Sequence, residues 1–252
     1  MSGSAAGPAP GSYSGSNPGS NSGSALVTGG CGFIGRHLTE LLVRHGYSVR
    51  VVDLQEWPDA PEGVDIWQGS ILDRRMMAEA VRGVDVVFHL AANPNLWAPD
   101  PGTFHEVNYE GTIRVLEASR DAAVPRIVYT STESILKNVR APNGSEAALI
   151  DESVELDLED IWGAYCRSKF LAEGAARRAA KDGMPVVIVN PTMPVGPGDG
   201  LLTPPTRMLL GFLNGATPAY LDCEFNLVDA RDVALGHLLA AQRGRVGERY
   251  IL

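Results

Sequence analysis

Short runs of hydrophobic residues alternate along this chain with longer stretches in which hydrophobic residues recur every three or four positions. Runs such as Val84–Leu90 and Pro185–Asn190 are almost continuously apolar, which is typical of strands that are covered on both faces. The longer stretches have the periodicity of amphipathic helices. The alternation predicts repeated strand and helix units, and therefore an α/β fold built on a doubly wound parallel sheet.

The hydrophobic pattern also predicts where the elements lie and how the chain is divided. We expect a nucleotide-binding domain at residues 25–191, and a small substrate lobe together with the last helix and strand of the sheet at residues 192–252. Strands are predicted at Ala25–Thr28, Ser48–Asp53, Val64–Gln68, Val84–Leu90, Arg126–Ser131, Pro185–Asn190, Phe225–Val228 and Arg249–Leu252. Helices are predicted at residues 33–45, 73–82, 103–122, 160–182, 204–214 and 230–242.

Composition and charge narrow the class of protein. Ser, Gly and Pro make up 17 of residues 1–24, and none of these 24 residues is charged, so we expect a disordered tail there. The net charge of -9 disfavours nucleic acid as a partner. No apolar run is long enough to predict a membrane span. Three scattered cysteines favour neither a disulfide framework nor a metal site, and we expect a cytoplasmic protein.

A glycine-rich turn follows the first predicted strand. The string ALVTGGCGFIG places Gly29, Gly32 and Gly35 between that strand and the next predicted helix. In this context the backbone amides and the helix N-terminus can approach a pyrophosphate, which predicts a dinucleotide site. Asp53 ends the second predicted strand, where a carboxylate can accept both ribose hydroxyls and so favours NAD; Arg50 nearby keeps NADP open.

Tyr165 and Lys169 are four residues apart on a predicted helix and therefore share one face of it. A phenol has an ordinary pKa of about 10, so a tyrosine that acts as a base needs a cation nearby. Lys169 can supply that charge and can also hold a ribose hydroxyl. The pair therefore predicts proton transfer at a hydroxyl or keto group beside a bound dinucleotide.

Seven motifs occur in the order typical of extended short-chain dehydrogenases/reductases, which include NAD-dependent sugar-nucleotide epimerases and dehydratases. They are TGGCGFIG, DVVFHLAA, VNYEGT, IVYTST, YCRSK, NPTMPVGPGD and FNLVDARDVA. The resemblance covers residues 25–252 and implies a Rossmann fold. Within this group the chain is similar to the hopanoid-associated sugar epimerases, a subgroup that also resembles dihydroflavonol-type reductases.

The resemblance implies roles for particular residues. The catalytic residues would be Tyr165, Lys169, Thr132 and Asn108, with Thr132 donating a hydrogen bond to the substrate oxygen and Asn108 supporting the site from inside. His89 is expected to be a packed strand residue rather than a catalytic one. The cofactor would be held by Gly29, Gly32, Phe33, Ile34, Gly35, Asp53, Ser70, Ile71, Leu90, Ala91, Ala92, Tyr165, Lys169 and Pro191, and no metal is expected.

The chain also departs from the family pattern. Ser70 stands where an adenine-contacting aspartate is usual, and Asn190 replaces a common arginine. Relatives continue for several tens of residues beyond the strand that GERYIL resembles, so we expect a partial substrate lobe. Arg207 could pair with a substrate anion such as a diphosphate, or lie on the surface.

These observations leave the function open in three directions. The first is an NAD-dependent epimerase or dehydratase acting on a sugar or nucleotide sugar, which is the reading the resemblance favours. The second is a dihydroflavonol-type ketone reductase that uses NADH or NADPH. The third is a non-catalytic nucleotide sensor, which the short substrate lobe would suit. The resemblance further implies a homodimer formed through the helices at 103–122 and 160–182.

Overall fold

The computed structural model describes residues 23–136, 150–216, 218–219, 222 and 224–252. Most of these residues build one parallel sheet with helices on both faces. Its strands are β1 (Ser24–Thr28), β2 (Ser48–Asp53), β3 (Asp65–Gln68), β4 (Val86–His89), β5 (Ile127–Thr130), β6 (Val186–Asn190) and β9 (Arg249–Ile251). They lie in the order β3-β2-β1-β4-β5-β6-β9, and all the pairings are parallel. This arrangement confirms the predicted Rossmann fold.

The helices are α1 (Phe33–Arg44), α2 (Arg74–Ala80), α3 (Gly102–Phe104), α4 (Gly111–Asp121), α5 (Ala164–Lys181), α6 (Pro204–Leu213) and α7 (Ala230–Arg243). Helices α2, α4 and α5 cover one face of the sheet, and α1 and α7 cover the other. A π-helical segment, His105–Glu110, joins α3 to α4, so that the single helix predicted at 103–122 is built from three parts.

The alternation of side chains along each strand builds two hydrophobic cores. Leu26 points to the face covered by α2, α4 and α5, where it packs with residues such as Met77 and Val115. Val27 points to the opposite face and packs with Leu38 of α1 and Leu238 of α7. Because both faces of the strands are covered, they are apolar throughout, as the sequence pattern predicted.

Most element boundaries differ from the prediction by one or two residues, and two of the differences have a clear local cause. Strand β1 begins at Ser24, inside the predicted tail, because the Ser24 amide donates to Asp85 Oδ2 at 2.7 Å; residues 1–22 lie outside the described part. Helix α5 begins at Ala164 instead of residue 160, because Gly163 takes a left-handed conformation with φ of 84°. A separate 3-10 turn, Leu158–Asp160, precedes it.

A small annex lies beside the carboxyl edge of the main sheet. It consists of helix α6 and a two-stranded parallel sheet formed by β7 (Met193–Val195) and β8 (Leu227–Asp229). Strand β7 was not predicted, and β8 is displaced by about two residues from the prediction at Phe225–Val228. Helix α7 and strand β9 then return to the main sheet. None of the helices within the described ranges is long and apolar enough to cross a membrane.

Candidate active site

A cavity of about 770 Å³ opens at the carboxyl edge of the sheet, where β1 and β4 lie side by side and their connections leave in opposite directions. Ligands of open α/β sheets bind at this position. Apart from Asn108, all the residues predicted from the sequence to form the site line this cavity: Gly29, Gly32, Phe33, Ile34, Gly35, Asp53, Ser70, Ile71, Leu90, Ala91, Ala92, Thr132, Tyr165, Lys169 and Pro191.

The glycines of the turn allow the backbone to approach itself closely. Gly29 has a positive φ of 74°, and a Cβ there would lie 2.6 Å from the Ala91 amide nitrogen. A Cβ on Gly35 would collide with the Gly29 carbonyl oxygen and lie 2.7 Å from the Gly30 Cα. Only glycine fits these two positions, so the turn and the end of β4 can together form a narrow cradle.

The N-terminus of α1 faces this cradle with its amides uncapped. Gly32 is the N-cap residue, no side chain caps it, and the first turn of the helix contains no acidic residue. The first amides of a helix have no partner within it, and they carry the positive end of the helix dipole. Since Phe33 and Ile34 line the cavity, these amides are placed to hold a diphosphate.

Asp53 stands at the end of β2 on the other side of the turn. Its Oδ2 accepts a hydrogen bond from the Cys31 amide at 2.9 Å, and its Oδ1 accepts one from the Gln55 amide, also at 2.9 Å. These bonds fix the carboxylate at the cavity wall. Arg50 is directed elsewhere, because its Nη1 donates to the Ala80 carbonyl at 2.7 Å and its Nε to Asp65 at 3.2 Å. Arg50, the residue that could have favoured NADP, therefore binds groups on the side away from the Asp53 carboxylate.

Ser70 and Ile71 follow β3 and complete this side of the cavity. The Ser70 hydroxyl accepts a hydrogen bond from the Leu72 amide at 3.1 Å and so stabilises the turn. Ile71 is buried against Gly111, whose hydrogen leaves room for the isoleucine side chain. Where the family pattern has an aspartate that contacts adenine, this part of the cavity has the Ser70 hydroxyl and the apolar Ile71 side chain.

Lys169 lies one helical turn after Tyr165 on α5, and its ammonium group is buried. The Lys169 Nζ donates to the Thr130 carbonyl at 2.7 Å and lies 4.8 Å from the centre of the Tyr129 ring. Burial lowers the pKa of Lys169 from 10.5 to about 7, although the Glu173 carboxylate opposes this shift. Lys169 therefore gives up its proton more readily than an exposed lysine does.

The state of the Tyr165 phenol differs from the expectation that a cation would acidify it. Burial raises the pKa of Tyr165 from 10.0 to about 12, with smaller increases from the nearby Cys166 and Glu133, against a lowering by the hydrogen bond to Thr132. The Lys169 ammonium, which points to Thr130, does not reverse this shift. Desolvation outweighs the expected electrostatic help, so the phenol is protonated at neutral pH.

A carboxylate that the sequence analysis missed lies next to Thr132. The Thr132 hydroxyl donates to Glu133 Oε2 at 3.0 Å, and the Ser134 hydroxyl donates to the same oxygen at 2.9 Å. Both Glu133 and Ser134 line the cavity. The available signal was an ionisable residue directly after a candidate catalytic hydroxyl in the string STES.

Asn108 lies beneath the cavity in the π-helical segment, a type of irregularity that often marks functional sites. Its Oδ1 accepts a hydrogen bond from the Asn93 amide at 2.6 Å, and its Nδ2 donates to the Ser168 hydroxyl at 2.9 Å. Ser168 in turn donates to the Tyr165 carbonyl at 2.6 Å. Asn108 therefore positions the turn of α5 that carries Tyr165 and does not itself reach the cavity.

His89 is a buried structural residue, as expected. Its Nδ1 lies 2.7 Å from the Thr28 hydroxyl and its Nε2 lies 2.9 Å from the Thr112 hydroxyl. Burial lowers the pKa of His89 to about 3, with a further contribution from Lys169. The ring is therefore neutral and joins β1, β4 and α4.

A buried charged cluster lies behind Lys169, and the sequence analysis did not find it. The carboxylate of Glu173 pairs with Arg249 Nη1 at 3.1 Å and accepts a hydrogen bond from Asn190 Nδ2 at 2.8 Å. The same Nδ2 lies 3.0 Å from the Thr132 carbonyl. Asn190, which replaces the family's arginine, thus connects Glu173 to the loop after β5 that contains Thr132, while Arg249 supplies a guanidinium from the neighbouring strand.

The annex contributes apolar side chains to the remaining wall of the cavity. Pro204, Pro205 and Met208 of α6 line it, whereas Arg207 on the same helix is exposed and does not. Arg207 was expected either to pair with a substrate anion or to lie on the surface, and in the structure it lies on the surface. Within the described ranges, no cluster of three or more His, Cys, Asp or Glu side chains could hold a metal ion.

Comparisons with known proteins agree with this geometry. The model of the NAD dependent epimerase/dehydratase family matches residues 25–252. The chain belongs to this family. A Synechocystis sp. protein, provisionally named dihydroflavonol 4-reductase, is 40% identical over 232 residues, which cover 90% of this chain and 66% of that protein. The chain spans about two thirds of the length of the curated relatives that it matches.

Solved structures of similar proteins share the fold. The crystal structure of gox2253 is 36% identical and superposes with a TM-score of 0.80, covering 90% of this chain and 69% of the other. A double mutant of the dTDP-glucose 4,6-dehydratase DesIV from Streptomyces venezuelae, solved with NAD, is 28% identical with a TM-score of 0.76, covering 90% of this chain and 74% of the other. The narrower resemblance to hopanoid-associated epimerases stays a prediction.

Proposed function

We propose that this protein is an NAD-dependent oxidoreductase that transfers a hydride between its cofactor and a substrate carbon bearing a hydroxyl or keto group. The observation that carries the proposal is that Tyr165 and Lys169 line the same cavity as the glycine turn and Asp53. Dinucleotide-binding and proton-transferring groups from distant parts of the chain thus meet in one site. A nucleotide sensor, the third alternative, has no need of the proton-transferring pair.

The residues present fit NAD. The uncapped amides of α1 would hold the diphosphate, Asp53 would accept the hydroxyls of the adenosine ribose, and Lys169 would donate to the nicotinamide ribose. Gly29 packs directly against the Ala91 backbone, which keeps the turn close to the end of β4 at the wall of the cavity. When bound, NAD supplies the ring carbon that gives or receives the hydride.

Tyr165 is placed to exchange the proton that accompanies the hydride. Since burial holds its pKa at about 12, the phenol carries its proton at neutral pH and suits the reduction of a ketone. In that direction bound NADH would supply the hydride and Tyr165 the proton of the alcohol product, and the phenolate would then regain its proton from solvent. Thr132 lies beside the phenol and orients the substrate oxygen.

Two substrate classes share this chemistry. The DesIV structure supports a sugar nucleotide, on which an epimerase or dehydratase would act, because that enzyme is a dTDP-glucose 4,6-dehydratase. The Synechocystis relative supports a dihydroflavonol-type ketone, on which a simple reductase would act. The two reactions would use the same groups in opposite first directions. An epimerase or dehydratase would first oxidise a sugar hydroxyl, with Tyr165 accepting its proton, whereas a reductase would begin by reducing the ketone, with Tyr165 donating the proton.

The replacement Tyr165→Phe tests the proposal. It removes the hydroxyl, with its transferable proton and its hydrogen bond to Thr132, and keeps the ring, so turnover falls by about a hundredfold or more while the affinity for NADH changes little. Turnover is followed by NADH absorbance, and cofactor binding by NADH fluorescence. Tyr47→Phe is the matched control, because Tyr47 precedes β2 at the opposite edge of the sheet and does not line the cavity. Equal activity of Tyr165→Phe and the wild type overturns the assignment.

A further inference from the structure

The substrate side of the cavity is bounded by an apolar surface that we call the annex wall. It consists of Leu96, Met193, Leu201, Met208 and Phe225, with prolines between them. Leu96, Leu201 and Phe225 are each more than half exposed, so they present apolar surface to whatever enters. Contact with an apolar ligand would remove this surface from water, which is favourable.

Positive charge is scarce in the same cavity. Among its described lining residues, Lys169 is the one basic side chain, and its Nζ already donates to the Thr130 carbonyl at 2.7 Å. Glu133 adds a negative charge on the substrate side. Arg207, the candidate partner for a substrate anion, lies exposed on the outer side of α6.

Helix α6 points its first turn toward the cavity but offers few amides there. Its first two residues are Pro204 and Pro205, whose backbone nitrogens carry no hydrogen. The amide of the preceding Thr203 donates to Asp199 Oδ2 at 2.8 Å. This helix N-terminus therefore offers fewer free donors than the termini that usually bind phosphate.

A sugar nucleotide carries two negative charges on its diphosphate. In this cavity they would leave water for an apolar wall, an adjacent carboxylate and no described arginine, and buried charges without partners are strongly disfavoured. We propose that the substrate is an uncharged, largely apolar hydroxy or keto compound and not a nucleoside diphosphate sugar. This inference rests on the hydride transfer proposed above.

A pair of ketones that differ by one charge tests this inference. Methyl 4-acetylbenzoate is neutral, whereas 4-acetylbenzoate has the same ketone and ring with a carboxylate. We expect the full chain with NADH to reduce the ester with a kcat/KM at least about tenfold higher than the acid, because Glu133 repels the acid and Lys169, the one cation among the described lining residues, is held by the Thr130 carbonyl. We expect dTDP-glucose, incubated with NAD, to give neither NADH nor a converted sugar.

Three variants assign the effect to the wall and the carboxylate. Glu133→Gln removes the repelling charge, so the ratio of the two kcat/KM values moves toward one. Phe225→Ala raises the KM for the ester about tenfold with little change in the affinity for NADH, since it removes contact area on the substrate side only. Arg207→Gln is the control, and all the measured values stay as in the wild type.

The outcomes separate the substrate class from the reaction. Conversion of dTDP-glucose, or an ester-to-acid ratio of one in the wild type, overturns the inference while hydride transfer stands. Loss of dTDP-glucose binding in Arg207→Gln also overturns it, because that arginine would then hold the diphosphate. If NADH binds and every probe leaves it unconsumed, the proposed hydride transfer is wrong, and the inference falls with it.

Discussion

At the scale of single residues, the carboxylate of Glu173 shows how a charge can be held inside this fold. It lies one helical turn beyond Lys169, is 3% exposed, and is paired with Arg249 and Asn190. Arg249 is also held by the Glu152 and Val154 carbonyls, at 2.6 and 2.7 Å. This set of contacts compensates charges that would otherwise be costly to bury.

Glu173→Gln should therefore destabilise the protein by about 3 kcal/mol, because the buried Arg249 guanidinium would keep as counter-charge the more distant and exposed Glu155 carboxylate, 3.5 Å from its Nη2. Denaturation by urea measures the change in the free energy of unfolding. The double variant Glu173→Gln with Arg249→Met removes both charges and should be less destabilised than Glu173→Gln alone. If the single variant unfolds like the wild type, the ion pair does not have the structural role given to it here.

The residue scale also shows where a local pattern stops being informative. The spacing of Tyr165 and Lys169 correctly predicts that both face one cavity, since that depends on helix geometry alone. The pKa of each group depends on the surrounding protein, and burial moves the pKa of Tyr165 up to about 12 and that of Lys169 down to about 7. These environments come from β5 and the loop after it, which are distant in sequence.

At the scale of elements, the main prediction about cofactor binding concerns the N-terminus of helix α1. Its N-cap, Gly32, has an extended backbone conformation with φ of -73°, so other residues can adopt it. An aspartate there would cap the helix and stabilise it, but it would also place a negative charge where the diphosphate is expected.

A Cβ at residue 32 would lie 3.2 Å from the Gly29 carbonyl oxygen, so any side chain there requires a small shift of the turn. We therefore compare two variants that share this contact: Gly32→Asp should bind NADH about tenfold or more weakly than Gly32→Asn, while their melting temperatures stay similar. Gly32→Asn is the matched control, because it caps the helix without adding charge and occupies the same volume. NADH fluorescence titration gives both affinities, and thermal unfolding gives the stabilities. Equal affinities of the two variants would show that the α1 terminus does not hold the diphosphate.

An acidic segment at residues 151–160 illustrates what element packing adds to the sequence. As a run of carboxylates it is typical of a solvated loop. In the structure, Glu155 forms two hydrogen bonds with Arg177, at 2.7 and 2.6 Å, and Glu152 accepts the Ile251 amide at 2.9 Å. The segment thereby covers the free edge of β9 and protects it.

At the scale of the whole molecule, two buried histidines couple stability to pH. Burial lowers the pKa of His237 to about 4 against a smaller opposing effect of the Val233 carbonyl, and lowers that of His89 to about 3. Below their ordinary pKa of 6.5 the unfolded chain binds protons at these sites that the folded chain does not. Their contribution to stability is therefore present above pH 6.5 and is lost as the pH falls toward 4.

His237→Gln should reduce this pH dependence of the unfolding midpoint, because the unfolded variant no longer takes up a proton at residue 237. His105→Gln is the control, since that side chain is half exposed, and it should keep the wild-type dependence. Thermal unfolding between pH 6.5 and pH 4 gives both curves. A His237→Gln curve parallel to that of the wild type would contradict the linkage.

The homodimer and the cytoplasmic location stay predictions about the whole molecule. The resemblance predicts that the helical region at 103–122 and helix α5 form the dimer contact. Light scattering of the purified protein should then give twice the mass of one chain. The mass of a single chain at micromolar concentration would contradict the dimer.

The sequence by itself determined the sheet, its helices, the glycine turn and the residues that meet around one cavity. These features follow from local regularities: strand and helix periodicity, the steric demands of glycine, and the spacing of residues on one helix face. Tertiary structure alone decided the protonation of Tyr165, the contact of Glu133 with Thr132, the Glu173–Arg249 pair and the exposure of Arg207. Those depend on desolvation and on charges that packing brings together from remote parts of the chain, and no local pattern encodes them.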